Sequence, residues 1–387
     1  MKKNWEIKTL GDICEIMNGG TPDTTIPRFW DGENLWITPK DMGKMQSIYV
    51  DDTLRKITDE GLKNSSAKIL PVDSIILSSR APIGHLAINK KPISTNQGCK
   101  GLVPKNGIST LFVYYFLSNS VELLNSLGTG ATFKELSGSK LGTVKISLPQ
   151  FPEQQRIVSI LDEAFAAIAT AKANAEQNLK NAKELFESTQ SRIFKNLART
   201  VVIVPLASVC DELFAGGDAP KDNFSNEKTG KYKIPIIANA VKDNGLYGYT
   251  DLCRVDKPCI TVAARGSGTG HTEIRYEPFF PIVRLIVLIP NTNKITLEFL
   301  KFAIQDLEIL SNGSAIPQLT IPMIKEYSIA LPPITKQQTI VAKLDALSTE
   351  TKRLEAIYQQ KIADLEELKK SILQKAFSGE LITFESN

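Results

Sequence analysis

Two stretches of the chain place apolar or small residues at alternating steps of four and three. After Pro152 they fall at Ile157, Leu161, Ala164, Ile168, Ala171 and Ala175, and the same stripe carried onward reaches Leu185, with Asn178 and Thr189 as polar positions. After Pro333 the stripe reads Ile340, Leu344, Leu347, Thr351, Leu354, Tyr358, Lys361, Leu365, Leu368 and Ile372, with Thr351 and Lys361 as polar interruptions. Such spacing predicts helices with one apolar seam, and polar seam positions suit the setting of register. Neither stretch holds an internal proline or glycine, and both are rich in Ala, Glu, Lys, Leu and Gln, which are good helix formers. Each helix could run about 40 residues, roughly 60 Å at 1.5 Å per residue. A lone helix of that length with one apolar stripe needs a partner, and each stretch is the obvious partner of the other. Short connections favour an antiparallel pair, because the segment from about 200 to 334 must leave the end of one helix and return to the start of the next.

The chain is also written twice. Gly130 to Phe194 lies without a gap over Gly313 to Phe377, a constant shift of 183 residues. Leu148-Pro149 then meets Leu331-Pro332, Gln154-Gln155 meets Gln337-Gln338, and Leu161-Asp162 meets Leu344-Asp345. The globular parts repeat more faintly. Gly19-Gly20 echoes Gly216-Gly217, Arg80 matches Arg265, and after one residue of slippage His85 matches His271. Runs such as Ser74–Leu77 and Ile282–Leu288 read as strands among Gly and Pro turns. The expected fold is α+β, with two globular domains joined by two long antiparallel coiled-coil helices in a pseudo-twofold internal repeat. The boundaries expected are 1–151 and 199–334 for the domains, 152–198 and 335–378 for the helices, and 379–387 for a tail.

Composition excludes more than it nominates. A hydrophobic content of 42% with 23% charged residues is that of an ordinary globular protein, no run of 18 or more apolar residues occurs, and Met1-Lys2-Lys3-Asn4-Trp5 lacks a signal core. The expectation is a cytoplasmic protein. Five scattered cysteines without a CxxC pair, and only two histidines, argue against zinc and for reduced structural thiols. No GxxxxGK[ST] loop is present, and Gly266-Ser267-Gly268-Thr269-Gly270 fits neither the Walker nor the dinucleotide spacing, so it reads as a surface turn feeding a strand. No pattern nominates a catalytic site, and no metal site is expected.

The candidates that remain are for binding DNA. Arg80 and Arg265 each close an apolar run and open a Gly-containing loop bearing a histidine (His85, His271). A planar guanidinium there suits phosphate or guanine, or else pins the loop through a carboxylate. Asn96, Gln97 and Lys100 in Ser94-Thr95-Asn96-Gln97-Gly98-Cys99-Lys100 have the chemistry of adenine-edge and phosphate contacts, against the plainer reading of a polar turn. In the second half that register holds Phe280-Pro281-Ile282-Val283-Arg284, leaving Arg284 to play a similar part. Lys40 completes the set. Residues 1–151 carry 18 Lys and Arg against 14 Asp and Glu, whereas residues 198–334 carry 14 of each, so a DNA surface must come from local arrangement rather than bulk charge.

Together these residues resemble the specificity (S) subunit of type I restriction-modification systems. The likeness rests on Gly19-Gly20-Thr21-Pro22, Arg80-Ala81-Pro82-Ile83-Gly84, Thr95-Asn96-Gln97-Gly98, Gly130-Ala131-Thr132, Leu136 and Glu153-Gln154-Gln155-Arg156-Ile157-Val158. It continues through Gly313, Gln318-Leu319, Gln337-Gln338 and Ala376-Phe377-Ser378-Gly379-Glu380-Leu381, with Lys336 departing from its counterpart Glu153. The resemblance implies a non-catalytic DNA-recognition subunit reading a bipartite asymmetric site, one domain per half. Its helices would space the halves and dock two methyltransferase subunits along a seam that includes Ile157, Leu161, Ile168, Leu185, Ile340, Leu344, Leu354, Leu365 and Leu368. On B-DNA the two domains would then sit about one turn, roughly 34 Å, apart. S-adenosylmethionine would belong to those partners, and ATP and Mg²⁺ to restriction (motor-nuclease) subunits, with no cofactor in this chain. The competing reading is a coiled-coil scaffold whose globular ends bind proteins rather than DNA.

Overall fold

The two stripes fold as helices Phe151–Ala198 and Ile334–Ser378, of 48 and 45 residues. They belong to a computed structural model that describes residues 5–130, 134–239, 242–266, 268–307 and 318–381. Ala131-Thr132, Ser267, Gly313 and the tail beyond 381 lie outside the described residues. The chain parts into two units, Met1–Asn174 with Lys361–Asn387, and Ala175–Gln360. The division therefore falls inside both helices, and each unit holds a length of each.

Within the first unit the helices run antiparallel. Leu373 and Ala376 join the core cluster of Ile157 and Leu161, the Lys369 ammonium lies 5.1 Å from the Phe165 ring centroid, and Lys172 pairs with Glu366. In the second unit Leu344, with Ile340 and Val341 at its edge, shares a cluster with Phe194 and Leu197.

The seam itself departs from strict heptads. Ile157, Leu161, Ile168 and Leu344 are buried and Ile340, Leu354 and Leu365 half-buried, but Leu185 is 46% and Leu368 48% exposed. An α-helix has about 3.6 residues per turn, so a repeat of 3.5 drifts about 20° per heptad away from the buried face. The face accordingly passes to Leu179, Ala182 and Phe186 in the first helix, and to Ile362 in the second. Asn178 and Lys361 are exposed as a result, whereas Thr351 stays buried and donates its hydroxyl to the Leu347 carbonyl at 3.0 Å.

The globular part of the first unit is built from strands Glu6–Thr9 (β1), Cys14–Asn18 (β2), Trp30–Ile37 (β3), Tyr49–Val50 (β4), Arg55–Ile57 (β5), Ile75–Ser79 (β6), Ile83–Asn89 (β7), Ile93–Thr95 (β8), Cys99–Pro104 (β9) and Lys145–Leu148 (β10). They form a sheet β2-β9-β6-β7-β4, a second sheet β5-β3-β8 and a pair β1-β10. The second unit contributes Ile203–Pro205 (β11), Cys210–Ala215 (β12), Ile234–Ile237 (β13), Leu246–Thr250 (β14), Cys259–Val262 (β15), Thr272–Arg275 (β16), Phe280–Pro281 (β17), Ile286–Pro290 (β18) and Ser328–Ala330 (β19). Its sheets are β12-β18-β15-β16, β14-β13-β17 and β11-β19. The two orders match strand for strand, apart from the extra edge strand β4. In both, the first strand of the large sheet pairs with the last, and the small sheet mixes one antiparallel and one parallel neighbour. The run Ile282–Leu288 is not one strand. Val283 and Arg284 adopt φ of 52° and 60°, which turns the chain before β18 begins.

One buried side chain ties each long helix to its globular part. Gln154, 1% exposed, accepts from the Ser109 N–H at 2.8 Å and donates its amide to the carbonyls of Pro149 and Gly107 at 3.0 and 3.3 Å. Ser109 is the N-cap of helix Thr110–Asn119, so a single amide joins two helix starts and the turn before one of them. Gln337 repeats the arrangement on Thr296 at 2.8 Å, and on Pro332 and Lys294 at 2.9 Å each, with Thr296 capping helix Leu297–Gln305. Among the described residues no helix is long and apolar enough to cross a membrane. All five cysteines are free, and burial pushes the thiols of Cys14, Cys99, Cys210 and Cys259 up to about 12.

Gln154→Leu strands the buried Pro149 carbonyl and frees the part-buried Ser109 N–H and Gly107 carbonyl, and a buried group left unpaired costs about 1–3 kcal/mol. Urea unfolding should show a loss on the order of 2 kcal/mol, and an unchanged midpoint would refute the clamp. Alkylation requires the thiolate, so brief iodoacetamide treatment of the native chain at pH 8 should label exposed Cys253 and spare the other four. Peptide mapping checks this, and modification at Cys14 or Cys99 would contradict it.

Candidate nucleic-acid interface

In the first unit the candidate side chains gather around the short helix Pro39–Met42. Thr38 caps that helix, and its hydroxyl and the Asp41 carboxylate satisfy each other's backbone donors. Lys40 projects from it, exposed. At its N-terminal end Pro39 lies against Gly98, where an added Cβ would come within 3.1 Å of both the Pro39 ring and the Arg80 Nε. Beyond its C-terminal end Gly43 faces His85, whose Nε2 is 3.2 Å from the position a Cβ would take.

Asn96 closes its own turn, with Oδ1 accepting from the Gly98 N–H at 3.0 Å. That is the polar-turn reading of this residue, and it leaves the exposed Gln97 at the tip, hydrogen-bonded to the Thr21 hydroxyl. The turn rests on Gly19 and Gly20. Gly20 donates to Thr95 at 2.8 Å and Gly19 to Cys99 at 3.3 Å. A Cβ on Gly19 would fall 1.9 Å from the Asn96 carbonyl oxygen, and one on Gly20 would fall 2.2 Å from the Ala67 nitrogen. The backbones approach too closely for any side chain.

Arg80 and Lys100 share one carboxylate, Glu135, at 3.7 and 3.6 Å. Lys100 must be removed from the exposed set. It is 5% exposed at the start of β9, and its ammonium faces Glu135 rather than solvent. Arg80 is half-buried, and its backbone also bridges to Glu135, so it pins the segment through a carboxylate.

The second unit keeps these positions and changes their chemistry. Strand register places Arg265 where Arg80 stands and His271 where His85 stands, confirming the slip of one residue. Arg265 bridges to Gln318, which is Glu135 displaced by 183 residues, and Lys100 is replaced by Ile286. An ion pair in one unit is thus an apolar residue and an amide in the other. Arg265 is exposed, and no carboxylate pairs with it among the described residues. His271 instead places Nε2 at 3.1 Å from Glu273, which also lies 4.0 Å from the Lys301 ammonium. Arg284 is exposed beside Gly216-Gly217, with its N–H donating to Gly216 at 3.1 Å. Asn239 links the residues that precede Arg284 and Arg265. Its amide donates to the Val283 carbonyl, and its Oδ1 accepts from the Ala264 N–H at 2.9 Å. Strands β15 and β16 pair antiparallel, and past their ends the Ala263 N–H donates to His271 at 2.9 Å.

Sequence reasoning missed Glu135 and Asn239, and it matched Gln154 with Gln337 without giving them a role. Glu135 and Gln318 were visible as partners in the repeat, and so were Gln154 and Gln337. Asn239 had no such signal, because its counterpart by register is Pro39.

Comparison with known proteins bears on this arrangement. A family model described as the type I restriction modification DNA specificity domain matches residues 2–181 and 199–366. The type I restriction enzyme MjaIX specificity subunit of Methanocaldococcus jannaschii is 28% identical over 410 aligned residues, covering 98% of this chain and 94% of that protein. The EcoprrI specificity subunit of Escherichia coli is 25% identical, covering 91% and 90%. A chain solved in work on complex assembly and conformational transition of the type I R-M system superposes with a TM-score of 0.80 at 18% identity, covering 98% of this chain and 99% of that one. The HsdS subunit from Thermoanaerobacter tengcongensis gives 0.67, also at 18% identity and covering 98% of each chain. At that identity the structural likenesses concern the fold.

The exchange of Lys100 and Glu135 for Ile286 and Gln318 predicts a coupled pair. Glu135→Gln alone leaves a buried ammonium without its carboxylate and should cost about 2 kcal/mol, less than a fully buried pair because Glu135 is partly exposed. Adding Lys100→Ile should recover most of that loss. A double-mutant cycle by urea unfolding measures the coupling, and strictly additive effects would refute it.

Proposed function

The chain belongs to the type I restriction-modification DNA specificity family, and from that premise we propose that it reads a bipartite, asymmetric DNA site with one globular unit on each half. One observation carries the reading. Two units share a strand order and a glycine-anchored turn, yet differ at the side chains that turn exposes, Gln97 in one and Val283-Arg284 in the other. A common frame with different tips is what recognition of two unlike half-sites requires. The exposed Lys40, Gln97, Arg265 and Arg284 are the proposed contacts, with Arg80, Lys100 and Asn96 holding the frame behind them and His85 and His271 flanking it.

In this reading the chain itself performs no chemistry. Two methyltransferase subunits dock on the long helices and bring S-adenosylmethionine, and restriction subunits bring ATP and Mg²⁺. The helices fix the number of base pairs between the halves.

Exchanging residues 1–150 for the corresponding segment of another family member should change the bases read in one half-site only, measured by mapping methylated adenines made by the assembled complex. Inserting seven residues into both helices should lengthen the tolerated spacer and leave both half-sites unchanged. A change in both halves on exchange, or an unaltered spacer on insertion, would overturn the assignment of roles. DNA affinity should also fall steeply with salt as phosphate contacts release counterions, whereas a protein scaffold would be indifferent to DNA at low salt.

A further inference from the structure

The turn at Ile282–Leu285 places two consecutive non-glycine residues, one of them β-branched, in the left-handed region. The Leu285 N–H donates to Ile282 at 3.1 Å across Val283 and Arg284, which have φ of 52° and 60°. Two left-handed central residues define a type I′ turn, which normally takes Asn-Gly or Gly-Gly. A left-handed residue with a side chain costs roughly 1–2 kcal/mol, and a β-branched one such as valine is an outlier. Val283 is 49% exposed, so burial of its side chain offsets that cost only in part.

The counterpart in the first unit has the same anchors. Asn96 donates to Ile37 at 3.0 Å as Ile282 donates to Ile237 at 2.9 Å, and the Cys99 N–H closes on Asn96 at 3.1 Å as Leu285 closes on Ile282. Gln97 and Gly98 there are not left-handed, and Gly98 is buried behind Arg80 and Pro39. Reversing the hand of the turn is what brings position 284 to the surface. The second unit anchors the reversed turn with three backbone bonds, Val283 N–H to Gly217 at 2.8 Å, Arg284 N–H to Gly216 at 3.1 Å and Gly216 N–H to Leu285 at 2.8 Å. The Asn239 amide holds the Val283 carbonyl as a fourth. The Arg284 guanidinium has no carboxylate partner among the described residues. A rigid backbone thus displays an unpaired, forked donor next to two aliphatic methyl groups.

We propose that Val283-Arg284 is a base-reading tip, with Arg284 donating in bidentate fashion to O6 and N7 of one guanine in the major groove and Val283 packing on an adjacent thymine methyl. Gln97 is the corresponding tip of the first unit and pairs with an adenine. The guanidinium fork matches the two acceptors of guanine, and a side-chain amide matches the donor and acceptor of adenine. This rests on the DNA-recognition reading above.

The test uses the full chain assembled with its methyltransferase partners, and base preference is read by selection from a duplex library randomised across both half-sites. Arg284→Ala should lower preference for guanine at one position of one half-site by about 10- to 100-fold and leave the other half-site unchanged. Arg284→Lys keeps the charge but not the fork, and should retain affinity while losing most of that preference. Val283→Asn relieves the left-handed valine but removes its methyl groups, so it should raise the melting temperature and lower the preference for thymine at the adjacent position. A uniform loss of affinity across all sequences would make Arg284 a phosphate contact and overturn the proposal. So would an unchanged guanine preference in Arg284→Ala. A wild-type complex with no base preference at any position would instead overturn the DNA-recognition reading itself.

Discussion

Gln154 and Gln337 set the condition under which the rest of each unit can work. A buried amide with one acceptor and two donors in use satisfies three backbone groups that would otherwise be costly to bury. It does so where two helices begin, so the direction of the long helix is fixed by the same bonds that cap the helix of the globular part. A side chain that merely filled the space would let the long helix swivel about its proline entry. The geometry of each recognition surface relative to its own stretch of coil follows from these few hydrogen bonds rather than from the larger but undirected apolar contact around them.

Much of this architecture was legible in the residues, because duplication let each half check the other. The equivalence of Arg80 with Arg265 and of His85 with His271, and the glycine pairs, came from matching positions, while the antiparallel pairing came from the length of the connection between the helices. The errors arose where a pattern was extended beyond its own physics. Leu185 and Leu368 were placed on the seam by carrying a 3.5-residue repeat along helices that keep about 3.6 residues per turn, so each slipped from the buried face by one residue. The strand expected over Ile282–Leu288 failed for a different reason. Its apolar composition is that of a strand, and only the left-handed dihedrals of Val283 and Arg284, which no propensity would assign to those residues, break it.

Among the candidate residues, type and order were readable but partnership was not. Lys100 looked like a phosphate contact because lysine usually stays in solvent. Its burial depends on Glu135, 35 residues away in sequence and brought close by the folded loop. Arg80 is tied to the same carboxylate, whereas Arg265 meets Gln318. Identical residues at equivalent positions therefore do different work in the two units, and the difference is set by a third residue that neither motif contains.

The glycine pairs have a consequence for how such a protein changes over time. Gly19-Gly20 and Gly216-Gly217 hold the exposed turns by main-chain atoms alone, which every amino acid possesses. The tip residues between the anchors contribute almost nothing to the apolar core, so replacing them leaves folding intact. On the proposed reading, a new base preference can then arise through one or two codon changes at the tips, without an unstable intermediate. The two tips can drift independently, and a lineage can acquire new target sequences while its helices, and whatever assembles on them, stay the same.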